Sequence, residues 1–340
     1  MFKVSMHAIA AAAVLALSGC GSADNAEQQR VLTIGSNPAG THVYAVAAGL
    51  AKVLQESGEI RTTIRPFSGS SVYLPLMQRG EIGLGLNTSI DSYLSFSGLP
   101  PYEAPMRNLR MIAMIFPLPI MYMVRAESDI QRIEDLRGKN VVIEFRAIAA
   151  MGQLHTGILA TGGLTPDDVN PVIVAGLPES MDMLSQGRAD AVPTGINTAL
   201  ALQVNASLPG GIRYITMGAD EPRLSEIMPG AAPVTIEPDE GEPGIFEPIR
   251  VANVTDLLNT SVAMSEDRVY EITRTIMESW EELRRDYSQM ADTTIEQAVP
   301  SDIVHPYHAG AVRYYKEAGF WTPAHQESQD RLLASIGATQ

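Results

Sequence analysis

The feature that most narrows the possible folds is a switch, made over and over, from a short β-type run to a helix. Val31-Leu32-Thr33-Ile34-Gly35 is apolar and β-rich, Ser36-Asn37-Pro38-Ala39-Gly40 breaks it, and Thr41 to Glu56 carries a helical pattern that stops near Gly58. The same sequence of events predicts a strand over Arg61 to Phe67, a cap at Ser68-Gly69-Ser70-Ser71 and a helix over Val72 to Arg79. Ile82 to Leu86 then leads through Asn87-Thr88-Ser89 into another helix. Short strands alternating with helices predict a parallel or mixed sheet covered by helices, an α/β fold.

After strand-like runs at Met111 to Phe116 and Met121 to Val124, the pattern begins again. Asn140 to Phe145 reads as a strand, Arg146 to Thr161 as a helix, Pro171 to Ala175 as a strand and Ser180 to Gln186 as a short helix. Ala191 to Pro193 continues the sheet, and Thr194-Gly195-Ile196-Asn197 opens the next helix. "LMQRGEIGLGLNT" parallels "MLSQGRADAVPTGIN": each ends a helix at glycine (Gly80, Gly187) and runs through a short strand to Asn or Thr. The expectation is two similar lobes. Beyond a Pro-, Gly- and Glu-rich stretch from Gly218 to Pro248, a short strand is expected at Val234 to Ile236 and β-type sequence at Ile249 to Met264. The late helices at Glu266 to Arg285 and around Gly310 to Glu317 are expected to return to the first lobe, so the chain crosses near 117–125 and near 249–264.

The ends and the charge bound the setting. Lys3 precedes an apolar run, Ala8 to Leu17, too short to span a bilayer. Leu17-Ser18-Gly19-Cys20 resembles a bacterial lipobox, which implies cleavage before Cys20 and a lipid on its sulfur; Gly21 to Arg30 would then be a flexible tether. Cys20 is the one cysteine, so no internal disulfide is expected. A formal charge of −15 argues against nucleic acid or anionic lipid as partner.

The strand-to-helix turns are the candidate site. Such turns lie on the carboxyl edge of a parallel sheet, where ligands bind. Helix starts there offer unpaired N–H groups and the positive end of a dipole, a setting that suits a carboxylate. The candidates are Ser36, Asn37, Gly40, Thr41, Tyr44, Gly69, Ser70, Ser71, Asn87, Asp91, Phe116, Arg146, Gly195 and Asn197. Arg146 follows a strand directly and could grip a carboxylate with two hydrogen bonds, or pair with Glu144. Tyr44 could reach the cleft or pack; Asp91 could face it or complement its own helix dipole; Phe116 could wall it or fill the core. Arg125, beside Glu127 and Asp129, reads as a solvated surface residue. His305 and His308 have metal-like spacing but no fixed acidic or thiol partner. There is no nucleophile elbow, phosphate loop or zinc-protease helix. No metal, cofactor or catalytic activity is therefore expected.

Taken in order, "LTIGSNPAGTHVYAVAAGLAKVL", "SGSSVYLPLMQRGEIGLGL", "DLRGKNVVI", "ILATGGL", "LSQGRADAV" and "HAGAVRYYKEAG" resemble the TAXI family, the solute receptors of tripartite ATP-independent periplasmic (TRAP) transporters. The resemblance runs from about Leu32 to about Gly319. It implies a two-lobed, type II-like periplasmic binding protein, each lobe a mixed or parallel sheet flanked by helices, with a cleft between. The implied boundaries are a lipoprotein signal peptide at 1–20, a tether at 21–30, a first lobe at 31–122 plus 255–340 and a second at 123–254. It also implies capture of an amino acid or other carboxylate by lobe closure, and delivery to a membrane permease. The family's ligand loops match at Gly40, Tyr44, Gly69, Ser70 and Asp91. The chain departs from them at Asn37-Pro38-Ala39 and at Phe145-Arg146-Ala147-Ile148, where the family commonly has a Gly-Ser-Gly-Thr loop. A periplasmic sensing module, or less readily an enzyme on the same scaffold, is the alternative reading.

Overall fold

A computed structural model describes residues 31–58, 60–228, 230–239 and 241–337. The expected signal peptide, tether and lipidated Cys20 lie outside the described residues. The first run of the chain makes β1 (Leu32–Ser36), α1 (His42–Glu56), β2 (Thr62–Pro66), α2 (Ser70–Gln78), β3 (Leu84–Thr88) and α3 (Ser89–Ser97). β1 pairs in parallel with both β2 and β3. The long β4 (Leu109–Arg125) follows, and then the series repeats: β5 (Asn140–Phe145), α4 (Met151–Thr161), β6 (Asn170–Val174), α5 (Leu177–Ser185), β7 (Val192–Gly195) and α6 (Ala199–Ser207). β5 and β6 pair in parallel, and a single parallel bridge from Val141 to Ala191 ties them to the approach of β7.

Two long antiparallel strands stitch the halves together. β10 (Ile249–Ser261) lies along β3 and then along β4 for most of its length. β4 in turn carries β7 and β8 (Ile212–Tyr214) on its far half, the short α7 (Pro222–Ile227) follows, and β9 (Ala232–Ile236) borders β10. Each half thus has the order outer strand, first strand, third strand, crossing strand. The duplication read in the sequence is visible in the backbone: Gly80 and Gly187 end α2 and α5 with φ of 74° and 71°, a left-handed turn that glycine adopts without steric cost.

β4 corrects an expectation. Pro117 and Pro119 divide its sequence into two apparent strands, yet the backbone runs unbroken, with both prolines paired opposite β10. Proline costs a donor, not an extended conformation. The late helix is also divided, into α8 (Glu266–Glu278) and α9 (Trp280–Asp286), with the break at Ser279. Both return to the first half, where Lys52 of α1 meets Glu282 at 2.7 Å and the Tyr287 ring lies directly over Gly49. Trp280 anchors the break: it is 1 % exposed, and its indole N–H donates to the Thr293 carbonyl at 2.9 Å. The chain then closes with α10 (Ala309–Glu317) and α11 (Pro323–Gly337). Among the described residues, no helix is long and apolar enough to cross a membrane.

Candidate functional site

All five strand-to-helix turns singled out in the sequence reach one cavity. Asn37 comes from the turn after β1, Ser70 from the start of α2, and Asn87, Thr88 and Asp91 from the junction of β3 and α3. The second half adds Phe145, Ile148, Met151 and His155 around the start of α4, Leu177 at the start of α5, and Pro193, Thr194 and Gly195 at the end of β7. The crossing strands supply Leu118 and Ile120 from β4 and Asp256 from β10; Val43 of α1 completes the wall. The convergence follows from topology. In each half the strands run in parallel toward the same edge, so their carboxyl ends share a rim.

Of the residues expected at the site, Asn37, Ser70, Asn87, Asp91 and Gly195 border the cavity. The side chain of Asn87 is already engaged: its Nδ2 donates to Ser92 Oγ at 2.8 Å, and its Oδ1 accepts from Asn259 Nδ2 at 3.0 Å. Asn259 Oδ1 continues the chain to His305 Nε2 at 2.8 Å. His308 caps α10 by accepting from Gly310 N–H, so the histidine pair with metal-like spacing is committed to two separate structural jobs.

The others are placed differently, and four of them, Gly40, Gly69, Ser71 and Asn197, lie on a seam where the two halves touch. The carbonyl of Gly40 accepts from Leu200 N–H at 3.2 Å, and His42 Nε2 meets the Asn197 carbonyl at 3.2 Å. Gly69 packs on the Ala147 backbone, and Ser71 Oγ accepts from Ala149 N–H at 3.0 Å. Asn197 takes a left-handed φ of 55° there, ahead of a helix that Thr198 caps, so α6 begins later than the sequence pattern predicts. Ser36 and Thr41 serve their own turn: Ser36 Oγ donates to the Asn37 carbonyl, Thr41 Oγ1 donates to the Pro38 carbonyl, and Thr41 caps α1. Tyr44 is half-buried outside the lining. Phe116 is fully buried and stands edge-on to His42, a packing role.

Arg146 is corrected. It is exposed and does not border the cavity. The cause is local: the chain after β5 tightens into a 3-10 turn at Arg146–Ile148 before α4, so Phe145 and Ile148 face inward and the guanidinium faces solvent. Arg125 is corrected too. It is half-buried and caps α5, donating to the carbonyls of Leu184 and Ser185 at 3.0 and 2.9 Å.

The charge of the cavity is not the one expected from its helix starts. Among the described residues no lysine or arginine borders it, while two carboxyls do. Asp91 is 1 % exposed; Tyr102 Oη donates to one of its oxygens and Thr88 Oγ1 to the other, each at 3.0 Å. Burial pushes its pKa up, and the hydrogen bonds from Thr88 and Tyr102 oppose the shift. Asp256 is fully buried and has no partner at either oxygen. Burial, and then the nearby Asp91 charge, hold it well above the ordinary carboxyl range. His155 is also fully buried; Nδ1 bonds to the Ile143 carbonyl at 2.8 Å, and Nε2 has no partner. Burial lowers its pKa to about 4. Sequence reasoning missed both groups. The signal for Asp256 was an acid inside the apolar β-type run "VTDLLNT"; for His155 it was a histidine on the apolar helix "MGQLHTGILA".

Comparison with known proteins agrees with this architecture. The sequence matches the NMT1-like family over residues 34–319. The structure superimposes on one described as a periplasmic transporter with a TM-score of 0.52 at 12 % identity, covering 88 % of this chain and 95 % of that one. The alkanesulfonate-binding protein SsuA from Xanthomonas axonopodis pv. citri, bound to MOPS, gives a TM-score of 0.47 at 17 % identity, with 89 % and 83 % covered. An ancestral arginine-binding protein bound to arginine gives 0.48 at 15 % identity, with 76 % and 99 % covered. The fold is the two-lobed α/β architecture of periplasmic binding proteins.

Proposed function

Because the chain belongs to the NMT1-like family, we propose that it is an extracytoplasmic solute receptor that captures a small organic molecule by closing its two lobes and hands it to a membrane permease. The observation that carries this reading is the convergence of five turns, drawn from both halves, on one largely apolar cavity. A ligand there touches both halves at once, so it stabilises the closed arrangement over any open one. That differential contact is what a binding-driven closure requires. We further assign the receptor to a TRAP transporter of the TAXI type, on the strength of the ordered motifs from "LTIGSNPAGTHVY" to "HAGAVRYYKEAG". The lipobox-like Leu17-Ser18-Gly19-Cys20 supports tethering at a membrane facing the periplasm.

The test is solution scattering on the purified chain with its co-purified solute and again after that solute is stripped by unfolding and refolding. The radius of gyration is expected to rise on stripping and to fall again when the released solute is returned. A radius indifferent to solute removes lobe closure. Uptake of that solute into vesicles carrying the partner permease, driven by a sodium gradient without ATP, separates the TRAP assignment from an ATP-driven one.

A further inference from the structure

Resting on the receptor reading above, we propose that Asp256 and His155 form a subsite for a protonated nitrogen. The solute is then an amine-bearing molecule, zwitterionic or cationic, and not a simple carboxylate. The open hydrogen-bonding positions in the cavity point to that group. A buried polar group without a partner is rare in a folded protein, and each one needs an occupant. The two oxygens of Asp91 are already filled by Tyr102 and Thr88. The two oxygens of Asp256 are not filled, and the residue has 0 % exposure to bulk solvent.

His155 presents the same demand from the opposite half. A backbone carbonyl only accepts, so the 2.8 Å contact of Nδ1 with the Ile143 carbonyl places the ring hydrogen on Nδ1. In the neutral ring Nε2 is then a bare acceptor, and it borders the same cavity without a partner. Asp256 and His155 thus leave three acceptor positions open, Asn37 Oδ1 is a further unpartnered acceptor and Ser70 Oγ an unpartnered hydroxyl, and among the described residues no lysine or arginine borders the cavity to supply N–H groups or positive charge. A group with several N–H donors and a positive charge meets both needs at once. An ammonium offers three donors, and an amidinium or guanidinium offers its fork. A plain carboxylate offers no N–H donor. The apolar remainder of the wall, Leu118, Ile120, Phe145, Ile148, Met151 and Leu177, fits a hydrocarbon body attached to that nitrogen.

The test uses three probes on one carbon frame: leucine, 3-methylbutylamine and 4-methylpentanoate. Each is titrated calorimetrically into the solute-free chain, and the solute released from the purified protein is identified by mass spectrometry. At least one nitrogen-bearing probe is expected to bind tenfold or more tightly than 4-methylpentanoate, and the released solute is expected to carry a protonatable nitrogen. Asp256→Asn is expected to weaken the nitrogen-bearing probe at least tenfold while the solute-free variant melts no lower than wild type, which separates lost recognition from lost folding. His155→Leu is expected to weaken it less. Equal or tighter binding of 4-methylpentanoate, a released solute without nitrogen, or unaltered affinity in Asp256→Asn overturns the subsite and leaves the receptor reading standing. Binding by no probe together with release of no solute overturns both.

Discussion

Gly69 sits where the two halves touch, and replacing it with alanine tests whether closure is what the seam is for. Its φ of 171° is extended backbone that alanine also adopts, so the substitution carries no conformational strain of its own. The obstacle is purely what stands opposite. A methyl group added there would lie 2.5 Å from Ile148 Cγ1 and 2.6 Å from the Ala147 carbonyl carbon, with the Ala147 oxygen nearer still. Ordinary contact between such atoms needs about 3.5 Å or more, so the two halves must separate locally by about 1 Å. Two of the neighbouring atoms belong to backbone and cannot rotate away. Overpacking of this kind costs about 1–3 kcal/mol. The cost falls on the closed arrangement alone, because in an open one Ala147 is not there to be met. Solute affinity is therefore expected to fall roughly 5- to 150-fold. The melting temperature of the solute-free protein is expected to stay near that of wild type. Calorimetry with the released solute reads the first quantity, and the radius of gyration at saturation shows whether closure is incomplete. An unchanged dissociation constant and an unchanged radius would refute the argument that this glycine exists to let the halves meet.

Other outcomes follow from the buried groups. His155 and His305 have pKa values lowered by burial to about 4 and about 3, so each favours the neutral ring in the folded state. The stability that comes from keeping them neutral is whole above pH 6.5 and is lost as pH falls toward 4, with His155 accounting for about 3 kcal/mol; urea denaturation across that range should show it. Asp256 runs the other way: burial, and then Asp91, raise its pKa, so the stability tied to it is whole below the ordinary carboxyl value and is lost as pH rises from there through its shifted pKa. Asp256→Asn should remove that second slope and leave the histidine one. Arg146→Ala should change solute affinity by less than about twofold, as expected of an exposed side chain away from the cavity; a tenfold loss in calorimetry would return it to the site. Trp280→Ala should cost about 3–5 kcal/mol in chemical denaturation, since it empties a buried position and strands the Thr293 carbonyl.

The strand–helix alternation and the duplicated "LMQRGEIGLGLNT" and "MLSQGRADAVPTGIN" segments made the two-lobed architecture legible, because periodicity and glycine punctuation are local properties. The place of the cavity was legible for the same reason: turns after parallel strands share an edge. What each turn does there was not. Gly40, Gly69 and Ser71 look like ligand loops in sequence, yet in space they serve contact between the halves, and nothing local to Ser68-Gly69-Ser70-Ser71 reveals that Ala147 and Ala149 stand opposite. Arg146 misled because a charged residue after a strand is ambiguous until the next turn is known; one tight turn reverses its direction. Asp256 was hidden by a run whose β character is correct, since the side of a strand that an acid faces depends on register and register depends on partners.

That register holds the physical core of the site. The pairing of β10 with β4 shifts between Asp256 and Leu257, and a shift of this kind bends the strand and re-aims the side chain beside it. Asp256 is flanked by Thr88 of β3 on one side and Phe116 of β4 on the other. The unpartnered carboxyl therefore stands on one of the two strands that run through both halves, while the seam residues stand on the loops that meet above. The two sets answer different demands. Small residues on the loops let the halves approach, and an orphaned acid on the crossing strand makes approach worthwhile only when something positive lies between. Closure around a molecule that leaves Asp256 unpartnered keeps the full cost of a buried, unsatisfied carboxyl; closure around one that donates to it recovers that cost. Selectivity would then reside in the crossing strand and closure in the loops, so substitutions at Asp256 and at Gly69 should separate which solute binds from how far the halves shut.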